Sequence, residues 1–224
     1  MNEDPAQFQD LTIGSFVERL ASAEPVPGGG AASAVVASLG ASLVAMVAGL
    51  SQGRERYAAH ASTHAEAIHV GRELAARFLA LADEDADAYT AFVAALKMAR
   101  ETDEQKAART AAIRASARLA ADAPMRCVEA CLELARAAEA LAGRSNRNAS
   151  SDLTVASLFA EAAARGAAAN VIVNLPSLGD EATADEMRAR VVGLMAEVEA
   201  LGLQAREAVM SGAERDPLPT HAWR

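Results

Sequence analysis

The chain has 224 residues, of which 52% are hydrophobic and 23% charged, a balance that suits one folded domain and excludes a disordered or collagen-like chain. Its formal net charge is -9 at pH 7, which argues against nucleic acid as a partner, because phosphate backbones are bound mainly by basic side chains. Aromatic residues make up only 4%, whereas 58 residues are alanine. Alanine favours helices and is depleted in strands, so the composition predicts an all-α domain.

The first predicted helix is short and amphipathic. Thr12 is a suitable N-cap, and the apolar residues that follow recur with helical spacing at Ile13, Phe16, Val17 and Leu20. The N-terminal ten residues are polar and acidic, without the pattern of a secretory signal.

The second predicted helix, residues 31–51, lies in a stretch without charge, 26–53, that is long enough to span a bilayer. Serine and glycine interrupt this stretch and no second one follows, so we expect a buried helix at the centre of a soluble helical bundle and no membrane segment. One face carries small residues suited to close packing on another helix or on a second copy, which predicts a homo-oligomer. These residues are Ser33, Ala37, Gly40, Ala41, Val44 and Ala48.

The remaining pattern predicts further helices. A long one covers 58–100, Thr102 and Gln105 form a capping box for the next, which ends near 121, and Pro124 begins another that Gly143 ends. Ser150 or Ser151 would cap a helix to 165, followed by a separate apolar segment, 167–175, and Thr183 would cap the last helix. We expect one domain, residues 1–212, and a loose tail, 213–224. Cys127 and Cys131 stand one turn apart, which suits neither a disulfide nor a zinc site and fits a reducing cytoplasm.

Three glycines, Gly28, Gly29 and Gly30, precede the uncharged helix. Glycines permit close backbone approach, and a helix N-terminus offers free N–H groups to an anion or a carbonyl oxygen. A flexible helix entry is the alternative interpretation.

The densest acidic cluster is Asp83, Glu84, Asp85 and Asp87. Such runs are usually solvated faces of helices. Asp85 is the exception, because its apolar neighbours indicate a partly buried setting, where a carboxylate needs a partner and its pKa can be tuned for catalysis.

Two groups of polar residues could contact a ligand. Asn146, Asn148, Ser151 and Asp152 meet at a helix start and could bind a polar heterocycle, although capping explains part of the pattern. Asn170 and Asn174 lie on one face of an apolar segment, where they could serve either core hydrogen bonding or ligand contact.

Basic residues near element ends could hold an anionic ligand tail, or could be ordinary surface charge. They are Arg54, Arg56, Lys97, Arg100 and Lys106. His60 and His64 are spaced like two metal ligands, but no third ligand stands near, so we expect surface histidines and no metal site.

Taken together, the motifs resemble those of the cyclodeaminase/cyclohydrolase family. The resemblance rests on residues 27–30, on Gly53-Arg54-Glu55-Arg56-Tyr57, on Asp85 and Tyr89, and on Asn146, Ser151-Asp152 and 170–175 in the family's order and spacing. It implies an all-helical cytoplasmic homodimer that acts on a reduced folate and needs no redox cofactor.

The resemblance also implies an activity and a set of site residues. The expected reaction is hydrolysis of 5,10-methenyltetrahydrofolate to 10-formyltetrahydrofolate, with cyclodeaminase activity on 5-formiminotetrahydrofolate or a non-catalytic folate-binding dimer as alternatives. We expect Asp85 and Asp152 to be catalytic, with Arg56 or Tyr57 in proton transfer or orientation. The residues expected to bind the substrate are Gly28, Gly29, Gly30, Ser33, Asn146, Ser151, Asn170 and Asn174.

Overall fold

The computed structural model describes residues 7–219, and this part of the chain is helical without a strand. The all-α prediction is therefore confirmed. The six α-helices are α1 (Ile13–Leu20), α2 (Gly29–Ser51), α3 (Ala61–Leu96), α4 (Asp103–Leu141), α5 (Ser150–Asn174) and α6 (Glu181–Ser211), and short 3₁₀ turns include Glu55–His60 and Arg147–Ala149.

Local capping chemistry sets the helix starts. The Thr12 side chain accepts a hydrogen bond from the Ser15 N–H at 3.1 Å, and Thr102 and Gln105 form both bonds of a capping box, so these two predictions are confirmed. The predicted cap of α6 is wrong: Asp180 is the N-cap, and its carboxylate accepts from both the N–H and the hydroxyl of Thr183. The predicted serine cap of α5 is also wrong, since Ala149 precedes that helix without a side-chain bond.

Two predicted helix breaks are absent. α4 continues through Pro124, and α5 continues through Gly166. Proline has no N–H and would leave the carbonyl of Ala120, four residues earlier, without its helical donor. The side chain of Asn174 supplies that donor instead, with Nδ2 2.9 Å from the Ala120 oxygen.

Glycines allow the helices to approach closely. A side chain on Gly71 of α3 would meet the Ala41 carbonyl at 2.7 Å, and one on Gly40 of α2 would crowd Leu134 and Phe159. α2 therefore packs tightly against α3, α4 and α5.

The expectation that α2 is buried on all sides is wrong for a single chain. Eleven of its 23 residues are buried, and the opposite face leaves Leu39, Met46 and Leu50 between 43% and 50% exposed. In the described part of the chain, α2 is the helix that is long and apolar enough to cross a membrane, with a mean hydropathy of 2.0. Core helices of soluble proteins have the same length and composition.

The C-terminal segment leaves α6 at Gly212, which has a left-handed conformation with φ of 61°. Residues 213–219 form no helix, but they are less loose than the sequence predicts. The Arg215 N–H donates to the Gly143 carbonyl at 3.0 Å, its guanidinium pairs with Glu139, and Arg144 donates to the Asp216 carbonyl at 2.6 Å. Residues 220–224 lie outside the described part.

Candidate active site

The first part of the site lies at the N-terminus of α2. Gly28 is the N-cap and has no side chain to satisfy the first free N–H groups of the helix. The carboxylate of Asp85, on α3, takes that role and accepts a hydrogen bond from the Ala31 N–H. It lies directly against Gly30, where an added Cβ would overlap both carboxylate oxygens. The glycine segment therefore both begins α2 and leaves the space that the Asp85 carboxylate occupies.

Burial raises the pKa of Asp85 above its ordinary value, and the hydrogen bond from Ala31 opposes the shift by stabilising the charged form. The partly buried setting expected for Asp85 is confirmed. Two members of the acidic cluster have structural partners instead: Asp83 accepts from the Phe8 N–H at 2.8 Å, and Glu84 pairs with Arg126.

α5 lines the same end of α2 from the other side. Asn170 lies beside Gly29, at 3.7 Å from the position of an added Cβ, and its amide donates to the Gly166 carbonyl at 2.9 Å. Ser33 packs against Gly166, and its hydroxyl donates a hydrogen bond to the Gly29 carbonyl. The Asn174 amide nitrogen donates to the Ala120 and Asn170 carbonyls, which is one of the two interpretations that the sequence offered, and its contact with a ligand stays a prediction.

The second part of the site lies at the C-terminus of α2. The buried hydroxyl of Ser51 accepts from the Asn146 N–H at 2.7 Å, and the Asn146 side chain accepts from the Asn148 N–H at 3.1 Å. Ser151 and Asp152 follow in the first turn of α5. The two predicted polar groups are therefore at opposite ends of α5.

Arg56 and Tyr57 lie in the Glu55–His60 turn at this second end. Arg56 pairs with Glu214 at 2.7 Å and lies 5.7 Å from the centre of the Tyr57 ring, and the Tyr57 hydroxyl accepts from the Arg147 N–H at 3.2 Å. The ion pair raises the pKa of Arg56. A guanidinium remains protonated in proteins, so of the two roles predicted for Arg56, orientation of a charged group suits it better than proton transfer.

His60 and His64 are not both surface histidines. His64 is fully buried, with Nε2 2.8 Å from the Arg144 carbonyl oxygen, and His60 is half-buried. Burial lowers the pKa of both imidazoles, and both Nδ1 atoms have no hydrogen-bond partner within residues 7–219. No group of three metal-ligating side chains occurs in the same residues.

Within one chain the two ends of the site are far apart. Asp85 meets α2 at Gly30, whereas Asn146 meets it at Ser51. Twenty-one helical residues separate these positions and correspond to about 30 Å. Among the described residues no contact joins Asp85 to Asp152, and their joint action on one carbon stays a prediction.

Residues 12–192, which include both ends of α2, match one known family, described as formiminotransferase-cyclodeaminase. The chain belongs to this family. It is 38% identical to the methenyltetrahydrofolate cyclohydrolase of Methylorubrum extorquens over 200 residues, which cover 89% of this chain and 96% of that enzyme. The formimidoyltransferase-cyclodeaminase of Rattus norvegicus is 33% identical over 84% of this chain, but the match spans only 35% of the rat protein.

The fold of this family member also matches a solved structure. The crystal structure of formiminotetrahydrofolate cyclodeaminase from Thermotoga maritima superimposes with a TM-score of 0.82 and covers 91% of this chain and 98% of that one. The identity is 23%, so this likeness concerns the fold alone. The Methylorubrum and rat relatives of this chain are enzymes, and this family member is an enzyme as well.

Proposed function

We propose that the protein hydrolyses 5,10-methenyltetrahydrofolate to 10-formyltetrahydrofolate. The 38% identity to the Methylorubrum enzyme over nearly its whole length supports this activity. Water adds to the cationic methenyl carbon, one water proton is released, and the bond from that carbon to N5 then breaks while N5 takes up the second proton. The reaction involves no net oxidation, so the proposal includes no redox cofactor.

The observation that carries the mechanism is the position of Asp85. Its carboxylate is half-buried, is held by the Ala31 N–H and lies against the bare Cα of Gly30. A carboxylate with a raised pKa is a better base for a water proton than an exposed one, and its charge also balances the cationic substrate. We assign the general-base role to Asp85 and the pterin contacts to Gly28, Gly29, Gly30 and Asn170 beside it.

A homodimer would unite the two ends of the site, and we propose one. The exposed face of α2 carries Leu39, Leu43, Met46 and Leu50 at helical spacing, with the exposed Leu158 on neighbouring α5. If two copies pack these faces antiparallel about a twofold axis near the middle of α2, the Asp85 end of each meets the Asn146 and Asp152 end of the other. Asp152, Asn146 and Ser151 would then complete the site from the second copy, with Tyr57 orienting the substrate.

The cytoplasm is the compartment we propose. Cys127 and Cys131 are buried free thiols one turn apart, and thiols persist in a reducing compartment. Among the described residues α2 is the helix that could span a membrane by length and composition, and its apolar face is assigned to the second copy.

The second candidate is the cyclodeaminase reaction, favoured by the 33% identity to the rat enzyme. One absorbance assay separates the two. With 5,10-methenyltetrahydrofolate, the cyclohydrolase accelerates loss of the near-ultraviolet band above the uncatalysed rate. With 5-formiminotetrahydrofolate, a cyclodeaminase makes the band appear and releases ammonia.

The assay is run beside Asp85→Asn, with Asp87→Asn as the matched control, because Asp87 is exposed on the same helix. We expect Asp85→Asn to lose about 10²-fold or more in turnover and the control to retain it. Full turnover of the methenyl substrate by Asp85→Asn would refute the base assignment. Absence of turnover by the wild-type protein with either substrate would leave the folate-binding dimer.

A further inference from the structure

A cleft of about 180 Å³ opens at the second end of the site, between the Glu55–His60 turn and the segment after α6. Five of its polar or basic side chains surround one carboxylate, Glu214. They are Arg56, Tyr57, His60, Ser145 and Arg147. Of these residues, the reaction proposed above uses Tyr57 alone.

Three basic groups converge on Glu214. Arg56 pairs with it at 2.7 Å, and the charges of His60 and Arg147 add to that of Arg56 in holding the pKa of Glu214 below its ordinary value. The Arg147 guanidinium also lies 2.7 Å from the position of an added Cβ on Gly212. Within residues 7–219 no carboxylate lies within ion-pair distance of Arg147. The cleft thus has more positive than negative charge.

The Glu214 carboxylate can leave this position without releasing the backbone around it. Its side chain is 74% exposed and that of Arg56 is 61% exposed, and exposed ion pairs contribute little to stability. The adjacent residues fix the segment independently, since the Arg215 N–H bonds to Gly143 and the Asp216 carbonyl accepts from Arg144. The backbone at Glu214 is therefore held in place, whereas its side chain can be displaced from Arg56 by another carboxylate.

We propose that this cleft binds a carboxylate of the glutamyl tail of the reduced-folate substrate, through Arg56 and Arg147, in the position that the Glu214 side chain occupies in the free protein. The inference rests on the proposed function, because reduced folates carry a p-aminobenzoyl-glutamate tail. Arginine forks match carboxylates in geometry and charge. In the antiparallel dimer proposed above, the cleft would lie toward the Asp85 end of the second copy, and the tail and the pterin of one substrate would contact different chains.

The effect of removing the Glu214 charge distinguishes a purely structural ion pair from a ligand site. If Arg56 and Glu214 only fasten the C-terminal segment, removal of the Glu214 charge creates no better anion site. If the side chain competes with a ligand carboxylate, removal of its charge strengthens binding.

The test measures binding of p-aminobenzoyl-triglutamate, the tail without the pterin, by calorimetry on the full chain. We expect saturable binding that weakens with added salt, is about tenfold weaker in Arg147→Gln and Arg56→Gln, and is severalfold tighter in Glu214→Gln. Arg136→Gln is the matched control, since Arg136 forms a surface ion pair with Glu197 elsewhere, and it should bind like wild type.

Two results would overturn the inference: no saturable binding of the probe, or affinities in Glu214→Gln and Arg147→Gln equal to wild type. The probe lacks the methenyl carbon, so its binding is independent of turnover. Binding of the probe without hydrolysis of the methenyl substrate would support the tail site and refute the proposed function. Hydrolysis of the substrate without binding of the probe would support the proposed function and refute the tail site.

Discussion

The carboxylate of Asp85 occupies the space that a side chain on Gly30 would need. This relationship joins two sequence motifs that lie 55 positions apart, and it explains why the glycine segment and the acidic cluster belong to one site. The Ala31 N–H completes the arrangement, because the start of α2 and the charge on α3 satisfy each other.

Gly30→Ala should therefore displace Asp85 and reduce turnover about tenfold or more, since a shift of the reacting group by an ångström is costly. Gly193→Ala is the matched control. Gly193 is exposed within α6 with nothing within 4 Å of an added Cβ, so this change should stabilise the protein by about 0.5–1 kcal/mol. Absorbance kinetics and urea unfolding measure the two effects, and unchanged turnover in Gly30→Ala would contradict the packing of Asp85.

The raised pKa of Asp85 predicts a pH dependence of stability. Because burial disfavours its charged form, the folded protein holds this proton to higher pH than the unfolded chain does. Between the ordinary carboxyl pKa of about 4 and the raised value, Asp85 therefore makes the free energy of unfolding fall as pH rises. Urea unfolding at a series of pH values should show this contribution in wild type but not in Asp85→Asn, and identical profiles would contradict it.

His64 predicts the opposite slope. Burial lowers its pKa, so the unfolded chain binds a proton that the folded protein excludes as pH falls below about 6.5. The free energy of unfolding should decrease from pH 7.5 to pH 5.5, and His64 contributes at most about 1.4 kcal/mol to the decrease, because this range extends only about one pH unit below the unfolded pKa. His64→Gln should reduce the slope, with the remainder contributed by His60, whereas His69→Gln, which changes an exposed histidine beside Glu73, should leave the slope intact.

The bond from Asn174 to the Ala120 carbonyl predicts a coupling with Pro124. Asn174→Ala should lower the free energy of unfolding by about 1–2 kcal/mol, because it leaves that carbonyl without a donor. Pro124→Ala returns a backbone N–H to the same carbonyl, so Asn174→Ala should cost less in that background. A double-mutant cycle measures the difference, and equal costs in both backgrounds would show that the bond does not compensate for the proline.

The proposed dimer predicts complementation between inactive variants. Asp85→Asn and Asp152→Asn chains, expressed together, should form mixed dimers with one intact site, and a statistical mixture should recover about one quarter of wild-type activity. Sites built from one chain would recover nothing. Leu39→Glu with Met46→Glu should halve the mass in solution, while Leu119→Glu, at a 56% exposed position on α4, should not.

The sequence by itself determined the elements and their chemistry. Alanine content and capping residues predicted an all-α chain and the starts of α1 and α4, and the neighbours of Asp85 predicted its partial burial. These features depend on residues a few positions apart, which periodicity and capping rules describe directly. The sequence failed at Pro124 and Gly166, because the compensating contacts come from distant residues, the amide of Asn174 in one case and the packing of Ser33 in the other.

Only the tertiary structure decided which candidate residues meet. Nothing in the order of motifs shows that Asp85 and Asn146 lie at opposite ends of α2, that His64 is buried against the Arg144 carbonyl, or that Glu214 reaches Arg56 from 158 residues away. These relationships follow from the antiparallel packing of α3 and α5 along α2. Close packing of long helices fixes distances of tens of ångströms that no local pattern encodes.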